Sequence, residues 1–451
     1  MPLLRVIHTK ESEFEEVWRS LRARLTLAGV LAEDAHRVQQ VRAIVEGVRR
    51  GGDAAVAEFT RAYDGVALRP GEFRVAQERL AAARAGMEAG LLGALRRSIE
   101  NVRAYQEAIR LRAPADWERG GVRLGVRYRA VRRVGVCVPG SSAPLVSTVI
   151  MCAVPALAAG VRELAFITAP RREYAEYVHP AILGLCWELR EQWRGQLESL
   201  EVYRVSGAQG VAALAQGTES IKRVDKIVGP GNWWGQLAKR EVYGLVDVDS
   251  FAGPSEVVVL ADESAEAAFV AADLLSQAEH APGSAVLLTD SESLARRAAE
   301  AVDQQLETLG RAEATRRCVR ECCLAAVTRG LEEAVELANE FAAEHVQVQT
   351  RGAAEVAERI VNAGAVFVGP FSPVATGDYY AGPSHALPTG GSARFFGGLS
   401  VNDFLKQTSV IRYEASGLRQ AAADIETIAA AEGLDGHGRS VRIRLEQGRK
   451  P

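Results

Sequence analysis

The chain has 451 residues, 48% of them hydrophobic and 25% charged, with 54 Lys and Arg against 57 Asp and Glu for a net charge of −3. That make-up fits a globular protein of about two to four structural units, and without a basic excess it points neither to nucleic acid nor to a membrane surface. The opening Met1-Pro2-Leu3-Leu4-Arg5 lacks the apolar core of a signal peptide, and the longest apolar stretch, Val146 to Val161, is too short to cross a bilayer and contains Pro155, so a cytoplasmic protein is expected.

Residues from about 10 to 110 read as helical, with Val38 to Arg49 and Ala54 to Tyr63 as the clearest stretches. Between them, Arg49-Arg50-Gly51-Gly52-Asp53 reads as a helix stop followed by a cap. The segment 1–125 carries no evident chemistry and is expected to be a helical scaffold. From about 130 short apolar runs alternate with helical stretches. Val134 to Val138, Leu164 to Thr168, Glu201 to Val205 and Lys226 to Val228 are strands, with helices at Leu145 to Leu157 and Trp233 to Tyr243. A second series comes next: strands Val257 to Leu260, Ala285 to Thr289, Leu324 to Val327 and Ala365 to Val368, with helices Ala265 to Gln277 and Glu292 to Leu309. Nearly continuous apolar strands separated by helices predict parallel sheets covered on both faces. The expected fold is therefore α/β, with two tandem doubly wound units at 126–250 and 251–400. The last part, 401–451, reads as helical, centred on Leu418 to Ala431. It is too small to hold a core alone and must dock on something.

Six cysteines (Cys137, Cys152, Cys186, Cys318, Cys322 and Cys323) show no disulfide spacing, and Cys318-x3-Cys322-Cys323 has no second Cys or His pair nearby to make a metal site. Three turns place glycine or proline beside polar residues at the ends of expected strands: Val138-Pro139-Gly140-Ser141-Ser142, Ser206-Gly207-Ala208-Gln209 and Gly229-Pro230-Gly231-Asn232. Ligands of open α/β sheets bind at the carboxyl ends of strands, and amides at helix starts suit phosphate. The dinucleotide fingerprint is absent, since the glycine after Gly229-x-Gly231 is Gly235, one residue too late, and no P-loop lysine comes after it. Nucleotide binding and plain strand-to-helix turns both remain open on these residues.

Seven histidines occur in the whole chain, and the last four sit beside carboxylates in polar sequence. Gln277 and His280 share a face at a helix end, where the plainer reading is an imidazole suiting the helix dipole. Glu344-His345 joins a helix to a strand and offers two proton-handling groups, or merely a surface pair. Asp378 and His385 share a turn-rich loop, and His437 lies in the glycine-interrupted stretch Glu432 to Gly438; capping or turn roles would also explain them. Taken together, Gln277, His280, Asp378 and His437 offer O, N, O and N donors for zinc, leaving Glu344 and His345 for catalysis.

These segments together resemble the histidinol dehydrogenase family, from about residue 30 to 445. The signature stretches are Gly229-Pro-Gly-Asn232, Ala252-Gly-Pro-Ser-Glu256, Leu274-Leu-Ser-Gln-Ala-Glu-His280, Ala343-Glu-His345, Gly377-Asp-Tyr379, His385-Ala-Leu-Pro-Thr389 and Glu432-Gly-Leu-Asp-Gly-His437. The resemblance implies two Rossmann-like units without the glycine fingerprint, in an intertwined homodimer whose C-terminal piece completes the partner's site. It makes Gln277, His280, Asp378 and His437 ligands of one Zn2+ per subunit, and Glu344 and His345 the catalytic pair. Ser255, His385 and Glu432 match substrate contacts, joined there by Gln277, His280, His345, Asp378 and His437. Gln209 and Asn232 match NAD contacts, as does the position of Cys137. The implied reaction is the oxidation of L-histidinol to L-histidine through the aldehyde, with two NAD.

Three departures from the family pattern fall on the cofactor side. Cys137 stands where a tyrosine is common, the usual Gly-Gly pairs are Gly140-Ser141 and Ser206-Gly207, and the span between Pro170 and Val205 is longer than usual. The rival readings are a relative oxidising another polar amino or hydroxy alcohol, a zinc hydrolase and a non-catalytic binding protein. The absence of His-Glu-x-x-His and the presence of two α/β units weigh against a hydrolase. Having both Glu344 and His345 weighs against a binding protein.

Overall fold

The computed structural model describes residues 2–26, 29, 31, 34–140, 144–251, 253–280 and 283–447. Ser141, Ser142 and Ala252, which belong to the motifs above, lie outside the described residues, as do Ala281 and Pro282. The chain divides into two compact units, 1–109 with 131–404, and 110–130 with 405–451.

The first unit holds two parallel sheets. β1 is Arg5–His8, and β2 (Trp117–Arg119) and β3 (Val122–Ala130) belong to the other unit. β4 (Arg133–Val138), β5 (Glu163–Thr168), β6 (Ser199–Tyr203), β7 (Lys226–Val228) and β8 (Asp247–Val248) form a five-stranded sheet in the order β6-β5-β4-β7-β8. β9 (Ser255–Ala261), β10 (Gly283–Thr289), β11 (Cys323–Val327), β12 (His345–Gln349) and β13 (Ala365–Val368) join β1 in a six-stranded sheet ordered β1-β11-β10-β9-β12-β13. The expected tandem pair of doubly wound sheets is present.

The central strands of both sheets are buried on their two faces, as their apolar runs require. In β9, Val257 and Val259 enter one core with the helices Ala267–Ala278 and Glu292–Leu306. Val258 and Leu260 enter the opposite core with Trp18 and the helix Leu331–Phe341. At about 25 cal/mol per Å² of apolar surface, a central strand buried on both sides is among the most stabilising pieces of the fold.

Three local readings need correction. The N-terminal segment is not wholly helical, because Arg5–His8 pairs in parallel with β11, from Arg5 opposite Leu324 to His8 opposite Val327. Four residues are too few to display a period, so only the partner strand identifies them. Gly52, with φ 51 and ψ −135, kinks the long helix Ala35–Phe59, but Asp53 does not cap the helical stretch beyond it. Its carboxylate accepts from the Ser220 hydroxyl, at 2.5 Å, and from the Ser220 amide.

The third correction lies in the second unit. The C-terminal segment expected to be helical holds β14 (Leu405–Tyr413), antiparallel to β3 in a three-stranded sheet ordered β14-β3-β2. Thr408, Val410, Ile411 and Tyr413 supply strand-forming side chains there. The helices Ala415–Ala431 and Asp435–Gln447 come after it, separated by Gly433 with φ 69. Among the described residues no helix is long and apolar enough to cross a membrane.

Candidate active site

The two sheets present opposite ends to the site. The first offers the carboxyl ends of β4, β6 and β7, as the general rule for α/β sheets anticipates. The second offers its amino ends: Ser255 opens β9, His345 opens β12, and Gln277 and His280 precede β10. Only strand order reveals that inversion.

At that edge β9 and β12 are neighbours, with His345 opposite Val257. The Glu256 amide donates to Glu344 Oε2 at 3.0 Å, and the Glu344 amide donates to Glu256 Oε2 at 3.4 Å. Gly390 N donates to Glu256 Oε1 at 2.9 Å, tying in the loop after His385. His345 Nδ1 lies 2.9 Å from the Glu256 carbonyl. A carbonyl only accepts, so Nδ1 carries a proton and Nε2 is the atom that gains or releases the second one. That Nε2 stands 3.7 Å from Asp378 Oδ1, a charge contact beyond hydrogen-bond length, and is buried without a hydrogen-bond partner.

Burial dominates the electrostatics. It pushes Glu256 up to about 8 and raises Glu344. It works against the charged form of His345, but the carboxylates of Glu344 and Asp378 outweigh it and lift that imidazole to about 9. Burial would likewise raise Asp378, yet the His345 imidazole holds it below the usual range. His280 and His385 are both lowered by burial, which keeps them neutral. His385 Nε2 is 3.4 Å from Thr148 Oγ1, and Ser384 Oγ donates to Met151 O, so this loop reaches the helix Val146–Ala159 of the first α/β half.

A cleft of about 350 Å³ runs from Ser255 and His280 across to the loops of the first sheet, lined there by Cys137, Gly140, Ser206, Gly231 and Asn232. Those loops are built for close approach. Gly229 has φ 102, and a Cβ there would meet the Cys137 carbonyl oxygen at 2.4 Å. Lys239, 2% exposed, donates to Gly229 O and Asp249 Oδ1, each at 2.6 Å, while Asp249 Oδ2 accepts from Gly229 N. Asn232 accepts from Gly235 N and caps the helix Trp233–Val242. Gln209 is buried and donates to Asp64 Oδ2 at 3.0 Å. The Cys137 thiol, raised to about 11 by burial, stays protonated. Two helix starts, at Gly207 and Trp233, thus border a glycine-lined cradle of the kind a dinucleotide needs.

Among the described residues no group of three or more His, Cys, Asp and Glu side chains is arranged to hold a metal. In the first unit the expected set contains only two such residues, His280 and Asp378, with Gln277 as an amide donor. Gln277 is nonetheless 1% exposed with Oε1 lacking a hydrogen-bond partner, the state of an acceptor left for a ligand. The neutral imidazole of His280 and the ionised Asp378 complete a donor set that suits zinc. His437, on the helix Asp435–Gln447, and Glu432 belong to the second unit, where both are exposed. The cysteines Cys318, Cys322 and Cys323 are free thiols, and Cys318 Sγ bonds to Gly283 O.

Glu256, Lys239, Asp249 and Asp64 carry much of this arrangement without having been singled out from the sequence. Glu256 ends a motif quoted above, but its bonds to Glu344 and Gly390 span 88 and 134 residues.

A family pattern described as histidinol dehydrogenase matches residues 31–445. The chain is 46% identical over 408 residues to the histidinol dehydrogenase of Moorella thermoacetica, covering 90% of this chain and 94% of that protein. It is 42% identical over 448 residues to that of Rhodopirellula baltica, covering 96% and 95%. Among solved structures it matches the histidinol dehydrogenase of Elizabethkingia anophelis with a TM-score of 0.88, at 30% identity over 100% of both chains.

Proposed function

The chain belongs to the histidinol dehydrogenase family and oxidises histidinol in histidine biosynthesis, and we propose that it does so with zinc and NAD at the cleft between its two sheets. The reaction is two successive two-electron oxidations, from L-histidinol through L-histidinaldehyde to L-histidine. Each passes a hydride to one NAD.

In its deprotonated form His345 takes the hydroxyl proton of the substrate on Nε2 as the carbinol hydride departs, since the Glu256 carbonyl keeps the other ring proton on Nδ1. Glu344 draws a proton from the water that adds to the aldehyde, and His345 serves again when the hydrate is oxidised. Two neighbouring acceptors suit two chemically different proton transfers. Gln277, His280, Asp378 and His437 of the partner subunit would hold one Zn2+, which supplies a template that fixes the amino and imidazole nitrogens of the substrate. Ser255, His385 and Glu432 are assigned to the substrate, and Cys137, Gln209 and Asn232 to the cofactor side.

The observation that carries this reading is the buried His345, with its tautomer set, at the edge facing the glycine-lined cradle. A cytoplasmic homodimer with shared sites is part of the proposal. It is supported by the second unit, whose Trp117, Ile411, Ile428, Leu434 and Ile443 are exposed in the single chain. The test is stoichiometry. Two NADH should form per L-histidinol, with activity lost on chelation and regained with zinc. Absence of NADH from histidinol, with turnover of another amino alcohol, would favour the reading as a relative of different substrate.

A further inference from the structure

We infer that Asp64 reads the adenosine ribose of the cofactor and selects the free 2′-hydroxyl over a 2′-phosphate, an inference that rests on the cofactor reading above. In doubly wound dinucleotide sites an acid following the second strand of the unit accepts the ribose hydroxyls. Here that strand is β5, and it runs out through Thr168-Ala169-Pro170-Arg171 without a carboxylate. The carboxylate at this end of the cleft comes from another part of the chain. Asp64 lines the cleft together with Ile167 and Ala169 at the end of β5 and Ser206 after β6.

Asp64 closes the π-helical turn Thr60–Asp64 that ends the long N-terminal helix, and Gly65 leaves it at φ 69. Such wide turns are uncommon and concentrate at functional positions. Its two oxygens are aimed by separate donors, Ser206 Oγ to Oδ1 at 3.1 Å and Gln209 Nε2 to Oδ2 at 3.0 Å. Each oxygen keeps a further lone pair for a ligand hydroxyl.

The charges around it decide the sense of the selection. Lys239 is the one lysine or arginine among the described residues lining the cleft, and its ammonium is held by Asp249 and the Gly229 carbonyl. Arg171, past β5, pairs with Glu173 at 2.9 Å and is not a lining residue. Arg172, which donates to the Gly65 carbonyl, is likewise not a lining residue, so a 2′-phosphate beside Asp64 meets like charge where a hydroxyl meets an oriented acceptor.

The test is equilibrium binding by calorimetry, without substrate, of NAD+, NADP+ and the NAD+ analogue lacking the adenosine 2′-hydroxyl. The wild-type enzyme should bind NAD+ roughly 10- to 100-fold tighter than the deoxy analogue, the worth of a hydrogen bond to a charged group. It should discriminate against NADP+ at least as strongly. Asp64→Asn and Asp64→Ser, checked by thermal melting, should shrink both ratios. Wild-type protein that binds all three alike, or folded variants that keep the wild-type ratios, would overturn the role of Asp64 while leaving NAD as cofactor. Failure of wild-type protein to bind NAD+ would remove the cofactor reading itself. If neither variant folds, wild-type protein that binds all three alike still overturns the role of Asp64.

Discussion

The buried pair Lys239 and Asp249 offers a sharp test of how the glycine-lined cradle is held. Their side chains are 2% and 7% exposed. Lys239→Met removes two charge-assisted bonds of 2.6 Å, to Asp249 and to the Gly229 carbonyl. Asp249 then keeps only the amides of Gly229 and Ser250, with no counter-charge. Leaving one partner of a buried pair alone costs about 3–5 kcal/mol, so a loss of that size is expected. Lys239→Met with Asp249→Asn removes the orphaned charge and should recover much of it, a coupling of about 2–3 kcal/mol. Urea unfolding followed by tryptophan fluorescence measures the stabilities of the four proteins, and calorimetry their NAD+ affinity. Both single variants should also bind NAD+ more weakly, because Gly229 loses its anchor. Single changes below about 1 kcal/mol and strictly additive would refute the reasoning, since they would mean that the pair is solvated.

His345→Asn should lower histidinol oxidation by about 10²- to 10⁴-fold, while Glu344→Gln should slow oxidation of added histidinaldehyde more than that of histidinol; single-turnover NADH formation separates the two steps. Glu188 should make the N-terminal helices acid-sensitive. Burial alone would raise its carboxyl, but Arg96, Gln192 and Arg84 hold it at about 2, and Arg84 and Arg96 belong to the helices Gln77–Ala85 and Ala89–Ile109. A folded-state value below the unfolded one means that its stabilisation is present above about pH 4.3 and fades as pH falls toward 2. Glu188→Gln should flatten that acid limb in circular-dichroism titrations. Finally, inactive His345→Asn and His437→Ala proteins, mixed under subunit exchange, should regain part of the activity if each site draws on two subunits, and no recovery would count against shared sites.

Much of the α/β order was readable locally. Strands such as Val257 to Leu260 are continuous apolar runs, and burial on both faces of a parallel sheet imposes that pattern whatever the neighbours are. The candidate acid–base residues were also legible, because Glu344, His345 and Asp378 stand out in a chain with seven histidines. Their setting did not. Arg5–His8 reads as nothing until β11 lies beside it, and β14 is a strand because β3 offers nine residues to pair with. The same holds for the clamp of Lys239 and Asp249, two ordinary charged residues in sequence. Burial turns them into an anchor for Gly229.

What the chain determined by itself was the kind of layers it builds and the chemistry of the donors it carries, since both stem from side-chain type and short-range period. Tertiary structure alone decided that the first sheet turns its carboxyl ends and the second its amino ends toward one cleft. It also decided that the Glu256 carbonyl chooses the tautomer of His345, and that Asp64 takes a place at the cleft which β5 leaves without an acid. Those outcomes rest on contacts across 89 residues or more, as between His345 and Glu256, and no local pattern encodes which distant backbone group a side chain will meet.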